Sequence, residues 1–252
     1  YAPPDGQSLQ RYLASRGLTR DLIAKAGLVN AAGRDMFSER VIFAVRDVTG
    51  RVVGFGGRAL HEDEPAKYIN SPDTPVFRKG ETLYALHLAR AAAAEAGRLV
   101  IVEGYTDVIA AHKAGMEYVV ACLGTALTAD HLRLASRYTD EIVLAYDADT
   151  AGLKAALRDV GMFEACAAEV KIALLPEGHD PDTLVRAGGA KAFEEVLDGA
   201  CSAVEFRLQQ VLGELDGAEP TPALMAAAAQ ILSEVPDSAR RAEFLDRVAD
   251  WF

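Results

Sequence analysis

Four short apolar runs, the last carrying a single lysine, constrain this chain more than anything else in it. They are Leu99-Val100-Ile101-Val102, Tyr118 to Leu123, Ile142 to Tyr146, and Val170 to Leu175. A strand that is apolar on both faces must be covered on both faces, which is the environment of a parallel sheet. The segments between the runs predict helices near 105–114, 129–138 and 151–166, with Thr128 as the N-cap of the second. Strands alternating with helices predict an α/β fold, with a central parallel sheet and helices on both faces.

The flanks read differently. Residues 8–27 predict two short amphipathic helices broken at Gly17, followed by a hairpin of Val41–Val45 and Val52–Phe55 around a Thr49-Gly50 turn. Gly54, Gly56 and Gly57 weaken the second strand, so they imply a bulge or a close backbone approach. A Pro-rich loop at 65–75 leads to an Ala-rich helix over 82–96, ended by Gly97. Residues 190–252 read as helices with breaks near Gly213, Gly217–Pro222 and Pro236. Three parts follow: an α+β subdomain over 1–96, the sheet domain over 97–184 and a helical subdomain over 185–252.

The length, 252 residues with half of them hydrophobic, suffices for a substantial core. No apolar run approaches the ~18 residues a membrane span needs, and no secretory leader is visible at the start. An opening on Tyr1, without Met, reads as a piece of something longer. Cys122, Cys166 and Cys201 are far apart and form no CxxC pair, which points away from structural zinc and disulfides and towards a reducing cytoplasm. The net charge of −11 is uneven: residues 1–92 sum to +3 and residues 93–252 to −14. A mildly basic surface beside an acidic part would produce that split, as would acidic helices that merely keep the chain soluble.

In open parallel sheets, ligands bind beyond the carboxyl ends of the strands. Glu103 directly follows the first run, with Asp107 one helical turn later; Asp147 and Asp149 follow the third run; Asp180 and Asp182 come shortly after the fourth. Singly, these residues have plain readings. Asp149 equally suits a helix N-cap, and Asp180-Pro181-Asp182 is a good turn. Together they would repel one another and be driven towards protonation unless a cation were present. All-oxygen donors select Mg²⁺ or Mn²⁺, and a pair of such ions suits in-line phosphoryl displacement.

At these residues the chain resembles a known family. Val102-Glu103-Gly104-Tyr105-Thr106-Asp107, followed by Tyr146-Asp147-Ala148-Asp149-Thr150-Ala151-Gly152, resembles the Toprim domain of bacterial primases, topoisomerases and some nucleases. Three further segments are similar to DnaG-type primases: Gly54-Phe55-Gly56-Gly57-Arg58, Lys67 to Pro72 continuing through Phe77 to Gly80, and Gly178 to Leu184. The resemblance spans nearly the whole chain. It implies a catalytic core in which Glu103, Asp147 and Asp149 hold one or two Mg²⁺ or Mn²⁺ ions, with Asp180, Asp182 and Asp107 completing the surroundings. It places Arg58, Lys67 and Lys79, with Asn70 nearby, on a surface facing nucleotide and template. The implied reaction is attack of a 3′-hydroxyl on the α-phosphorus of an NTP, on a single-stranded DNA template, extending an RNA primer. The zinc-binding domain that precedes this core in the family, and the region that meets the replicative helicase, are not found in this sequence. The Toprim motif by itself also suits a nuclease or a topoisomerase fragment, or a module that only binds nucleic acid.

Overall fold

The computed structural model describes residues 1–61, 64–148, 162–163, 166–213, 221–235 and 238–250. The chain opens with α1 (Ser8–Ser15) and α2 (Arg20–Lys25), separated at Gly17, which takes φ 84°. Thr19 caps α2 by accepting the Leu22 N–H at 3.3 Å. The predicted hairpin follows as β1 (Arg40–Arg46) and β2 (Val52–Ala59), antiparallel, with Phe43 opposite Gly56. The Pro-rich loop holds a strand that its sequence does not announce, β3 (Tyr68–Asn70), paired antiparallel to β2. Ser71 prolongs that pairing: its N–H donates to Phe55 O at 2.8 Å, and its hydroxyl accepts the Phe55 N–H at 3.0 Å. Three residues are too few to show a periodicity, so only the partner strand decides this element.

A short 3-10 turn, Lys79–Glu81, precedes α3 (Leu86–Ala96). The predicted helix thus begins four residues late. Tyr84 bonds to Ala121 in both directions (2.8 and 3.3 Å), so the chain stays extended before Ala85, at φ 66°, turns it into the helix. Gly97, at φ 70°, ends α3 in the left-handed conformation that glycine accepts most readily.

The predicted strands and helices continue in order: β4 (Arg98–Val102), α4 (Tyr105–Lys113), β5 (Val119–Ala121), α5 (Ala129–Ala135), β6 (Glu141–Tyr146) and β7 (Glu169–Leu174). The helix expected near 151–166 falls almost wholly outside the described residues. Next come α6 (Pro181–Asp198), which runs across position 184, β8 (Cys201–Ser202), α7 (Ala203–Gly213), α8 (Pro222–Ser233) and α9 (Ser238–Asp250). The two-residue β8, in a stretch read as helical, pairs antiparallel with β7 and closes that edge.

The large sheet has the order β5-β4-β6-β7-β8, and its first four strands are parallel. Burial runs unbroken along β4 from Leu99 and along β6 from Ile142, as expected for strands covered on both faces. A second, smaller core of Val45, Phe77, Tyr105 and Leu123 joins the β1-β2-β3 sheet to the large one. Tyr105 is its centre: it stacks on Phe43 at 4.8 Å and meets Tyr84 edge-on at 4.6 Å. Gly56 of β2 serves this contact, because a Cβ there would collide with the Tyr105 ring. Gly56→Ala is therefore expected to cost about 1–3 kcal/mol, the range for overpacking a tight core, measured by urea unfolding. A loss below about 0.5 kcal/mol, the surface background, would show that the ring is not held there.

Candidate functional site

The strand order locates the site. From β4 the chain crosses to β5 on one side, and the following strand, β6, lies on the other side of β4. The β4/β6 boundary is thus the point where the order reverses, and the crevice beyond the carboxyl ends of such a pair is where open α/β sheets bind ligands. Glu103 leaves the end of β4 and Asp147 leaves the end of β6. Glu103 lies close enough to Tyr146 and Cys122 to help raise both; burial, with Glu103 adding, pushes the Cys122 thiol up to about 12.

Asp107 sits at the third position of α4, where its Oδ2 accepts the Gly104 N–H at 2.9 Å. A carboxylate in a first helical turn also faces the positive end of the helix dipole. Yet this one is buried, 6% exposed. Burial and the Asp180 carboxylate, with Asp147 adding, push it up to about 7, against the Gly104 and Asp182 N–H groups. Asp147 is shifted upward too, by burial and then by Asp180. Asp180 goes the other way. Burial acts to raise it, but the Thr183 N–H and hydroxyl and the Lys67 ammonium hold it below the usual carboxylate range. Those bonds form the N-cap of α6: Asp180 Oδ1 accepts the Thr183 N–H at 2.7 Å, and Thr183 Oγ1 accepts the Asp180 N–H at 2.9 Å.

Asp107, Asp147 and Asp180 therefore sense one another's charge across 73 residues of sequence. Asp182 lies in the first turn of α6 with its carboxylate on Arg186 Nε at 2.7 Å. Asp149 lies outside the described residues. Among the described residues, no three Asp, Glu, His or Cys side chains stand close enough together to hold a metal ion.

The predicted basic residues divide between two places. Lys67 is exposed and near enough to Asp180 for its charge to help lower that carboxyl. Its backbone is pinned, because Lys67 O accepts the Ala59 N–H at 2.9 Å. Arg58 lies over the Tyr68 ring at 5.6 Å and lines a cleft with Val41, Phe43, Leu60, His61 and Lys67. Lys79 belongs to the 3-10 turn, and its N–H donates to Asp73 Oδ1 at 3.0 Å. Asn70 uses both ends of its amide inside the protein: Nδ2 donates to Leu123 O at 2.7 Å, and Oδ1 accepts from the Tyr105 hydroxyl at 2.6 Å.

Three supporting residues escaped the sequence reading. Tyr105 was visible only as part of a motif. Arg40, 6% exposed, donates to Ala66 O at 2.8 Å and so steadies the loop that carries Lys67. His131 is fully buried and bonded to the Lys79 carbonyl at 2.8 Å. Nothing in the spacing around Arg40 or His131 distinguishes them from surface residues of a strand edge and a helix start.

Comparison with known proteins agrees with this architecture. Residues 1–90 match the model of the DNA primase catalytic core N-terminal domain, and residues 100–185 match a Toprim-like domain. The DNA primase of Clostridium acetobutylicum is 42% identical over 213 residues, covering 83% of this chain and 35% of the relative. That of Escherichia coli K12 is 39% identical over 250 residues, covering 96% and 43% respectively. The chain thus spans less than half the length of these relatives. Among solved structures, a DnaG primase catalytic domain bound to ssDNA superposes with a TM-score of 0.85 at 37% identity, covering 100% of this chain and 81% of that one. The RNA polymerase domain of Mycobacterium tuberculosis primase DnaG gives 0.88 at 30% identity, covering 100% and 84%. By fold, by both domain matches and by identity across nearly all its residues, the chain belongs to the DnaG DNA primase family and corresponds to its Toprim-containing catalytic core.

Proposed function

We propose that this chain catalyses DNA-templated synthesis of short RNA primers, by nucleotidyl transfer from NTPs and with divalent metal. The observation that carries the reading is the convergence of Asp107, Asp147 and Asp180 beyond the strand ends at the switch point, with two of the three shifted upward. Carboxyl groups in that state are in electrostatic conflict, and a hard cation relieves it. The donor set is all carboxylate, which suits Mg²⁺ or Mn²⁺. Glu103, Asp147 and Asp149 would hold the metal, with Asp180 beside them. Bound there, it would neutralise the charge that develops on the transferring phosphoryl group.

The chain's own residues do the rest. Lys67 reaches the acidic edge from the N-terminal sheet and can meet a triphosphate without reading a base. Lys79 and Arg58 extend that cationic side. Asn70, held at both ends of its amide, keeps β3 and therefore Lys67 in register with α4. Asp182 acts through its pairing with Arg186, which steadies the first turn of α6 beneath the Asp180 cap. Single-stranded DNA template, NTPs and the growing RNA primer are the partners this reading requires. The zinc-binding domain and the replicative helicase are the partners expected of the longer protein. No helix among the described residues is long and apolar enough to cross a membrane.

Incubation of the chain with labelled NTPs, single-stranded DNA and Mg²⁺ or Mn²⁺ should yield oligoribonucleotides. Asp147→Asn should cut their yield at least a hundredfold while the circular-dichroism spectrum stays unchanged. A fully active Asn variant removes Asp147 from the mechanism, and a cut template without RNA product would mark a nuclease instead.

A second expectation concerns pH. The folded-state pKa of Asp107 lies above its unfolded value, so its contribution to stability is fully present below about pH 4 and lost as pH rises through about 7. Metal-free protein should lose melting temperature across that window, Mg²⁺ or Mn²⁺ should restore it on the alkaline side, and Asp107→Asn should flatten the slope. An identical slope in the Asn variant would assign it to other groups.

A further inference from the structure

His131 is fully buried at the start of α5, and its two ring nitrogens meet opposite demands. Nδ1 accepts the Thr128 N–H at 3.3 Å, while Thr128 Oγ1 accepts the His131 N–H at 3.1 Å. Nε2 faces the Lys79 carbonyl at 2.8 Å and therefore has to donate. A ring that accepts at one nitrogen and donates at the other is neutral, with its proton on Nε2. Burial acts in the same direction, holding the ring below the usual histidine range. A second tie lies beside the first, because the Thr128 hydroxyl donates to Gly80 O at 2.6 Å. Two successive carbonyls of the Lys79–Glu81 turn are thus fastened to the N-terminus of α5. On its other side, the turn is fastened through the Lys79 N–H to Asp73. Packing alone would accept Leu or Phe at this position. What the corner needs is a neutral side chain that donates and accepts at fixed points, since without the ring the Lys79 carbonyl keeps only the long 3.4 Å bond from the Thr82 N–H and loses its short one.

We propose that His131 is a positioning residue: its ring latches the Lys79–Glu81 turn to α5 and so fixes the direction from which Lys79 meets phosphate. The second half of this statement rests on the role given to Lys79 above; the first half does not. Three measurements on the folded chain test it. Nitrogen-15 NMR of the wild-type protein at pH 7 should show a neutral His131 ring protonated at Nε2; a charged ring, or one protonated at Nδ1, overturns the latch. Amide hydrogen exchange at residues 79–82 should be about tenfold faster in His131→Phe, the factor worth about one net hydrogen bond. His131→Gln, which offers a neutral donor and acceptor, should restore most of the protection. Unchanged exchange in the Phe variant overturns the proposal. In the NTP-incorporation assay, Lys79→Ala and His131→Phe should each raise the KM for NTP more than they lower kcat, and the double variant should be no worse than Lys79→Ala. Additive losses would show that His131 does not act through Lys79. An unaltered KM in Lys79→Ala removes the phosphate role of that lysine, and exchange and NMR then decide the latch on their own.

Discussion

The structure depends on one contact between its two sheets, made by the Tyr105 side chain. The ring is buried against Phe43 of β1 and Tyr84 of the segment before α3, and its hydroxyl reaches Asn70 of β3. Asn70 in turn holds the carbonyl of Leu123, just beyond β5. A buried phenol must spend its hydroxyl on a partner, and the half-buried Asn70 amide spends both of its ends. This pair satisfies each other and ties three segments together. Because Tyr105 follows Glu103 by two residues, whatever fixes the ring also fixes where the β4 carboxylate emerges. Gly56 lies beneath the ring because any side chain there would occupy its space.

Upon that frame the acidic edge is assembled at an electrostatic cost. Three helix and strand termini deliver carboxylates to one place: the end of β6 with Asp147, the first turn of α4 with Asp107 and the cap of α6 with Asp180. Helix N-termini offset part of the repulsion through their free N–H groups; Asp180 stays acidic because the Thr183 N–H and hydroxyl and the Lys67 charge outweigh its burial, whereas deeper burial raises Asp107. The remaining conflict, and the charge of Lys67 beside Asp180, are the features on which the proposed binding of a cation and a polyphosphate rests.

The basic side is built differently. Lys67 and Lys79 stand on short irregular segments whose backbones are pinned from behind. Arg40 and the β2–β3 pairing hold the first, and Asp73, Thr128 and His131 hold the second. On the function proposed above, charged side chains on fixed backbones would lose less freedom on meeting a phosphate, so the pinning bonds would contribute to affinity without touching ligand.

The sequence by itself determined the parallel sheet, the hairpin, the chain order of the described sheet strands from β4 to β7 with α4 and α5, and the positions of Glu103 and Asp147 beyond the ends of β4 and β6. These are local properties: runs of apolar residues, their periods, and Gly or Thr at the boundaries. It did not determine β3, the late start of α3 or β8, because each exists only through a partner distant in sequence. Nor did it reveal that Asn70 is committed at both ends, that Asp182 belongs to Arg186, or that His131 and Arg40 are buried. A residue's type states what bonds it can make. Only the tertiary structure, which sets burial and the neighbours left after the backbone has paired, decided which of those bonds are made.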